Sequence, residues 1–300
     1  MPKPTKLPRH NPPAKPEQVI EELRPGQSIE LLKELHILTR EGKLNQDTRR
    51  KLKQVYHLYQ FIEPLLDQVA ADKAEPTLAD HGAGKSYLGF ILYDLFFNVA
   101  HKGEKTAGHI YGIETRAELV EKSRALAQRL GFERMAFLNL TVQEATTSAD
   151  LPAQVDIVTA LHACDTATDD AIAFGLAKNA QHMVLVPCCQ AEVAGVLKKT
   201  RALNLSKTPL AELWRHPLHT REFGSQITNV LRCLQLEANG YDVTVTELVG
   251  WEHSMKNELI LASRPGRVSA SKAKAAQDRL QQVLDEVGLG GLSERFAVVP

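Results

Sequence analysis

A short glycine-containing turn is the first feature of the sequence whose residue types and spacing could bind a ligand. Residues 80–84 read Asp-His-Gly-Ala-Gly, between an apolar run that predicts a buried strand and a run that predicts a helix. Gly82 and Gly84 let the backbone turn sharply and approach a ligand that a Cβ atom would repel. In open α/β sheets such a turn lies beyond the carboxyl end of its strand, where ligands bind. The predicted cofactor contacts in this turn are Asp80, Gly82, Ala83 and Gly84.

A carboxylate at the end of the next predicted strand indicates what the turn binds. Glu114 lies 30 residues after Gly84. A carboxylate in that place can accept hydrogen bonds from both hydroxyls of an adenosine ribose, as it does in dinucleotide sites. Thr141 and Leu161, at the ends of the third and fourth predicted strands, complete the predicted cofactor site. The order of strand, glycine turn, helix, strand and terminal Glu therefore favours adenosine over a purely structural turn.

The same residues also fit a relaxed phosphate-binding loop. Residues 79–86 match Ala-x-x-x-x-Gly-Lys-Ser, a pattern in which backbone amides and a lysine hold nucleotide phosphates. Three points weigh against it: Ala79 replaces the first glycine, Asp80 would face the phosphates, and Glu114 is left without a role. A P-loop-like NTPase is kept as an alternative function.

Predicted strands and helices alternate through the middle of the chain. Strands are expected at 77–80, 109–114, 135–140, 155–161, 183–186, 241–249 and 258–262, and helices at 86–98, 117–130 and 169–179. Strands separated by helices imply a parallel sheet covered on both faces, and the last two strands are close enough to pair antiparallel. The expected fold class is α/β, a seven-stranded Rossmann-like sheet with an N-terminal helical extension and a C-terminal helical tail.

The sequence also predicts how the chain is divided around that sheet. Seven prolines between residues 1 and 27 disfavour regular structure, and helical spacing begins after Ser28, a predicted N-cap. The predicted parts are a flexible tail (1–27), a helical extension (28–74), the sheet domain (75–264), a substrate lid within it (187–240) and a helical tail (265–300).

Two further blocks add a family resemblance. Residues 160–169 read Ala-Leu-His-Ala-Cys-Asp-Thr-Ala-Thr-Asp, and residues 186–190 read Val-Pro-Cys-Cys-Gln. Together with the glycine turn and the strand-end Glu, residues 75–264 resemble class I S-adenosylmethionine-dependent methyltransferases. The blocks are similar to the branch that includes the tRNA acceptor-stem 2′-O-methyltransferases, where His-Leu-Cys-Gly, Ala-Thr-Asp and Cys-Cys-His are typical. Ser86 and Asp165 stand where that branch commonly has glycine, and Gln190 where it has histidine.

The resemblance implies S-adenosyl-L-methionine as the cofactor and RNA as the substrate. His162 and Asp165 follow the fourth strand and are the predicted catalytic residues. Asp165 is a candidate base for a hydroxyl acceptor, with an N-cap of the next helix as an equal alternative. The predicted substrate pocket consists of Cys164, Cys188, Cys189 and Gln190. No metal is expected, because adjacent cysteines seldom both ligate and no Cys-x-x-Cys spacing is present.

Charge and composition bear on partners and location. The formal net charge is zero, so no global field attracts nucleic acid. Residues 1–60 nevertheless carry an excess of five positive charges. Arg49, Arg50, Lys51 and Lys53, with the 187–240 insert, are therefore candidate RNA contacts; a solvated helix face is the plainer interpretation. The lack of a signal peptide, of a long apolar run and of a cysteine framework predicts a cytoplasmic protein without membrane contact. A protein or small-molecule acceptor and a non-catalytic adenosine-binding module remain alternatives.

Overall fold

One mixed sheet of seven strands lies at the centre of the molecule. The computed structural model describes residues 22–100, 108–161, 163–187, 190–200, 207–248 and 258–298. The strands are β1 (Thr77–His81), β2 (His109–Ile113), β3 (Met135–Leu138), β4 (Ile157–Leu161), β5 (His182–Val186), β6 (Asp242–Glu247) and β7 (Glu258–Ser263). Their order is β3-β2-β1-β4-β5-β7-β6, with β7 antiparallel to β5 and to β6 and the other pairs parallel. The predicted Rossmann-like sheet is confirmed.

Nine α-helices flank the sheet in the part of the chain that the structure describes. They are α1 (Ile29–Glu34), α2 (Gln46–Asp72), α3 (Tyr87–Leu92), α4 (Ala117–Leu130), α5 (Val142–Thr147), α6 (Thr166–Ala177), α7 (Glu192–Thr200), α8 (Pro217–Ala238) and α9 (Ala270–Val287). The helix predicted over 86–98 is divided, because α3 continues as a π-helical segment, Tyr93–Ala100. Asp94 in that segment is buried and accepts a hydrogen bond from the backbone N–H of Ser28 at 2.9 Å.

The alternation of side chains along β1 gives the sheet a separate core on each face. Leu78 packs in a core with side chains of α2, α3 and α4, whereas Ala79 packs in a second core with side chains of α6. All five residues of β1 are buried, as expected for a central parallel strand. The carboxyl ends of β1, β2, β4 and β5 therefore meet at one edge of a rigid, doubly covered sheet.

The N-terminal helices are anchored on the first core. The predicted N-cap is confirmed, since Ser28 Oγ accepts a hydrogen bond from the backbone N–H of Leu31 at 3.1 Å. Residues 22–27, which the prediction placed in the tail, contact α2: the guanidinium of Arg24 lies 4.6 Å from the ring centre of Tyr59, and Gln27 accepts a hydrogen bond from Tyr56. Residues 1–21 lie outside the described part of the chain.

The helices after β5 share a third core with the C-terminal helix. Val193 and Leu197 of α7, Leu231 of α8 and Leu280 of α9 are buried together there. The described part of the predicted lid thus contributes two helices to a packed core, and its role as a substrate lid stays a prediction.

Within the described ranges, no helix is both long enough and apolar enough to cross a membrane.

Candidate cofactor and acceptor site

The glycine turn after β1 lies against two neighbouring strand ends. Gly82 and Gly84 have φ angles of +67° and +57°, in the left-handed region that favours glycine. A Cβ atom on Gly82 would lie 3.9 Å from the Cβ of Ala163, which follows β4, and one on Gly84 would lie 4.0 Å from Oε2 of Glu114. The turn therefore forms one wall of a site between the ends of β2 and β4.

Glu114 is fixed to this turn by hydrogen bonds. Its Oε2 accepts from the backbone N–H of Gly84 at 2.8 Å, and its Oε1 accepts from that of Arg116 at 3.0 Å. The Arg116 guanidinium donates to both oxygens, at 3.0 and 3.1 Å. Burial alone would raise the pKa of Glu114, but the hydrogen bonds from Arg116 and Gly84 lower it to about 2. The carboxylate is thus ionised at every physiological pH.

Asp80 lies deeper, at the base of the same wall. It is fully buried in β1, and its Oδ1 accepts a hydrogen bond from Oγ1 of Thr159 in β4 at 2.9 Å. Burial raises the pKa of Asp80 to about 7, against the smaller lowering effect of that hydrogen bond. This carboxyl group is therefore partly protonated near neutral pH.

His81 follows Asp80 as the last residue of β1. Its ring packs on Phe174 of α6, with 5.9 Å between ring centres. Both ring nitrogens are buried without a hydrogen-bond partner among the described residues. Burial lowers the pKa of His81 to about 4, so the imidazole is neutral at physiological pH and behaves here as a packing residue.

Ser86 adopts a backbone conformation that favours glycine. Its φ of +52° is left-handed, and its buried Oγ has no hydrogen-bond partner among the described residues. That oxygen points into the interior, where a Cβ atom on Gly89 would lie 2.8 Å from it. A P-loop needs this hydroxyl on a metal ion beside the phosphates, so the NTPase alternative fails on geometry.

Thr141 and Leu161 lie at the same edge of the sheet. Thr141 is exposed and caps α5 through a reciprocal capping box with Glu144. Leu161 is the last residue of β4 and pairs with Val186 of β5. The capping box gives Thr141 a structural function, and contact of either residue with a cofactor stays a prediction.

Asp165 begins α6, but its side chain does not cap that helix. Its φ and ψ of +52° and −121° are strained for a residue other than glycine. Oδ1 of Asp165 instead accepts from the backbone N–H groups of Ala191 and Glu192, at 2.9 and 3.1 Å, where α7 begins. The carboxylate thus joins the segment after β4 to the segment after β5. Cys164 beside it is exposed; His162, Cys188 and Cys189 lie outside the described residues.

A buried polar network supports this end of the site. Gln190 donates to Oδ1 of Asn229 at 3.1 Å and accepts from Ser225. Asn229 also donates to Oε2 of Glu258, the first residue of β7, at 2.6 Å, and its Oδ1 accepts from Arg232 at 3.1 Å. The side-chain amide of Gln190 is therefore held in one orientation by α8.

Arg232 is the centre of the network and was not anticipated from the sequence. Its side chain is fully buried, and its guanidinium donates to both oxygens of Asp169, at 2.7 and 2.8 Å. It also donates to the backbone carbonyl of Asp165 at 2.8 Å. The position of Arg232 within a helical apolar pattern was a signal that its charge could be buried. Its partner Asp169 could not be predicted, because it lies 63 residues away in sequence.

Comparison with known proteins gives one family match. Residues 50–196, just under half of the chain, match the model of a family described as a methyltransferase domain. No curated protein matches the sequence.

Among the described residues, no group of three His, Cys, Asp or Glu side chains could hold a metal ion.

Similar solved structures are distant in sequence. Magnesium protoporphyrin IX methyltransferase from Synechocystis PCC 6803, with bound SAH, is 14% identical with a TM-score of 0.42, over 78% of this chain and 93% of that one. A fibrillarin/Nop5p complex is 14% identical with a TM-score of 0.40, over 64% and 74%. Precorrin-6y C5,15-methyltransferase from Geobacter metallireducens GS-15 is 16% identical with a TM-score of 0.36, over 63% and 80%.

The family match covers part of the sheet. It begins within α2 and ends within α7, so it includes the glycine turn and strands β1 to β5 but not β6 and β7. A region similar to a methyltransferase domain therefore lies on a Rossmann-like sheet. At this level of similarity the solved structures carry no argument about its acceptor.

Proposed function

We propose that this protein is an S-adenosylmethionine-dependent methyltransferase that holds its cofactor between the turn after β1 and Glu114, and that it methylates RNA. The single observation that carries the cofactor part is the 2.8 Å hydrogen bond from Gly84 N–H to Glu114 Oε2. It joins the glycine turn and the ribose-binding carboxylate in one wall, as adenosine recognition requires.

The residues of this wall fit the proposed cofactor. Gly82 and Gly84 leave backbone open to close approach, and Glu114, with its pKa lowered to about 2, accepts hydrogen bonds from ribose hydroxyls without competition from protons. Asp80 lies buried at the base of the turn. When bound, S-adenosylmethionine supplies a methyl group on a sulfonium. The chain's residues then orient the acceptor in line and exclude water, which can contribute several kcal/mol to the rate.

Asp165 is the proposed base for a hydroxyl acceptor. Its carboxylate lies at the carboxyl end of β4, next to the exposed Cys164, and is held in place by the start of α7. Gln190, buried and held by Asn229 and Ser225, would shape the neighbouring wall of the acceptor pocket. The roles predicted for His162, Cys188 and Cys189 remain part of this proposal and rest on the sequence alone.

The RNA part of the proposal rests on the first turns of α2. Arg49, Arg50, Lys51 and Lys53 are all exposed. Arg49 lies 2.8 Å from Glu22, and Arg50 lies 3.9 Å from Asp47, in exposed ion pairs. Such pairs contribute about 0–1 kcal/mol, so RNA phosphates can replace the carboxylates at small cost.

Methyl transfer from labelled cofactor to separate RNA and protein extracts tests the proposal. The extracts come from cells that lack the protein. Label is expected in RNA, and the doubly substituted Arg50→Glu, Lys51→Glu enzyme should show a raised KM. The matched control is Lys272→Glu with Lys274→Glu on α9, two exposed cations outside the proposed site, which should leave KM unchanged. Label in protein alone would refute the RNA part, and binding of cofactor without any transfer would favour the adenosine-binding module.

A further inference from the structure

Arg116 is hydrogen-bonded to Glu114, the carboxylate that the proposed function assigns to the ribose of the cofactor. Its Nε donates to Oε1 of Glu114 at 3.0 Å and its Nη2 donates to Oε2 at 3.1 Å. The Glu114 side chain is 8% exposed and that of Arg116 is 60% exposed. The buried Glu114 carboxylate is thus covered from the solvent side by the largely exposed side chain of Arg116.

The hydrogen-bonding capacity of Glu114 is fully used in this arrangement. An ionised carboxylate has about four acceptor positions, two on each oxygen. On Oε1 they are taken by the Arg116 N–H and Nε–H, and on Oε2 by the Gly84 N–H and the Arg116 Nη2–H. Thr115 Oγ1 adds a longer contact to Oε1 at 3.4 Å. The two backbone donors are fixed by the turn and by the start of α4, so only the guanidinium is exchangeable.

A ribose needs the positions that the guanidinium takes. Its two neighbouring hydroxyls donate in parallel, one to each carboxylate oxygen, as the Nε–H and Nη2–H groups do. Both ligands cannot be satisfied at once, because two positions remain after the backbone amides are counted. The guanidinium therefore imitates the ribose diol at the same carboxylate.

We infer that Arg116 is an exchangeable placeholder for the cofactor ribose, which must release Glu114 before the cofactor binds and whose return to Glu114 assists departure of the spent cofactor. The inference rests on the proposed role of Glu114. Since the guanidinium is largely exposed, its release costs little, and the expected effect on affinity is severalfold rather than thousandfold.

Calorimetric titration with S-adenosylhomocysteine tests the inference. The Arg116→Gln variant should bind about twofold to fivefold more tightly than the wild type, because the competing pair is removed. Arg116→Lys carries a compact ammonium group instead of the two parallel N–H donors of the guanidinium. Its affinity for S-adenosylhomocysteine should lie between those of the wild type and Arg116→Gln. The matched control is Arg129→Gln on the same helix, where Arg129 forms an exposed ion pair with Glu34 at 2.8 Å; its affinity should equal that of the wild type.

A second ligand separates competition from a general charge effect. The 2′,3′-dideoxy analogue of S-adenosylhomocysteine has no diol and should not compete for the same positions. Its affinity should therefore be the same for the wild type and Arg116→Gln. Unchanged or weaker S-adenosylhomocysteine binding by Arg116→Gln, or an equal gain with the dideoxy analogue, would overturn the inference alone. Absence of binding by the wild type would overturn the proposed function and the inference together.

Discussion

The two halves of the candidate site lie at the same edge of the sheet but are held in place by different kinds of contact. At the ends of β1 and β2, Glu114 is bound by groups within 30 residues of it, two of them backbone amides. At the ends of β4 and β5, the Asp165 carboxylate is held by the start of α7, whereas Gln190 and the Asp165 carbonyl are held by Asn229 and Arg232 of α8. The cofactor half thus depends on backbone donors and one exposed arginine, whereas the acceptor half depends in addition on side chains packed around a buried charge.

A shared backbone feature makes this difference concrete. Ser86 and Asp165 both have a φ of +52°, in the left-handed region that favours glycine. The Ser86 hydroxyl is buried without a partner among the described residues, whereas the Asp165 carboxylate accepts two backbone hydrogen bonds from α7. The strained backbone at Ser86 is thus accompanied by no hydrogen bond from its side chain to the described residues. At Asp165 the strained backbone is accompanied by hydrogen bonds that connect two segments of the acceptor half.

The largest expected effect is loss of the charge at the centre of the acceptor half. Arg232→Met leaves Asp169 buried and unpaired, and should lower the free energy of unfolding by about 3–5 kcal/mol. Denaturant unfolding measures it. Arg232→Lys keeps the charge but not the two parallel donors, and should give a smaller loss and a protein stable enough for binding assays.

The matched control lies on the same helix. Arg221 forms an exposed ion pair with Glu222 at 3.0 Å, so Arg221→Met should cost less than about 1 kcal/mol. Affinity for S-adenosylhomocysteine should be equal in the wild type and Arg232→Lys, because the cofactor half does not share the network. Equal stability losses for the two methionine variants would remove the distinction between the halves.

The next effect concerns the buried carboxyl of the cofactor half. The pKa of Asp80 is raised to about 7 in the folded protein, from 3.8. Between about pH 4 and 7 the folded state therefore keeps a proton that the unfolded chain has lost, and stability falls as pH rises, by up to about 1.4 kcal/mol per pH unit. Asp80→Asn should remove this contribution while keeping an acceptor for Thr159.

Unfolding measured at several pH values checks this expectation. The stability of Asp80→Asn relative to the wild type should increase steadily from pH 4 to 7 and then level off. Asp278→Asn, at an exposed position on α9, serves as the control and should run parallel to the wild type. A constant difference between Asp80→Asn and the wild type would show that burial does not shift this carboxyl.

The smallest effect is expected at Ser86. Ser86→Gly relieves the left-handed backbone and removes an unpaired buried hydroxyl, at the cost of greater freedom in the unfolded chain. The net result should be a gain in stability of up to about 1 kcal/mol. Ser86→Ala removes the hydroxyl and keeps the strain, so it should be less stable than Ser86→Gly. The opposite ranking in urea unfolding would contradict the strain argument.

The sheet and the cofactor half could be predicted because their signals are local. The glycine turn, the terminal Glu114 and the period of each strand fall within short windows, and all seven strands were expected within a few residues of their bounds. The π-helical segment after α3 was not expected, since its sequence carries an ordinary helical pattern.

The acceptor half could be predicted only in part. Asp165 and Gln190 were predicted from their blocks as candidate site residues, and that assignment stays a prediction. Arg232, Asn229 and Glu258 become neighbours only when α8 packs against α6 and β7. The prediction that Asp165 caps the following helix was equally plausible from the sequence. Its carboxylate instead accepts from N–H groups at the start of α7, a contact that the sequence does not show.

Binding of S-adenosylhomocysteine to the wild type and to Glu114→Gln is the most direct test of the proposed cofactor site. The variant keeps the shape of the side chain but loses the charge and one acceptor oxygen. We predict saturable binding with one site per chain for the wild type, and about a tenfold to hundredfold loss for Glu114→Gln, from the weakening of charge-assisted hydrogen bonds. Equal affinity of the two proteins would contradict the assignment of the ribose to Glu114.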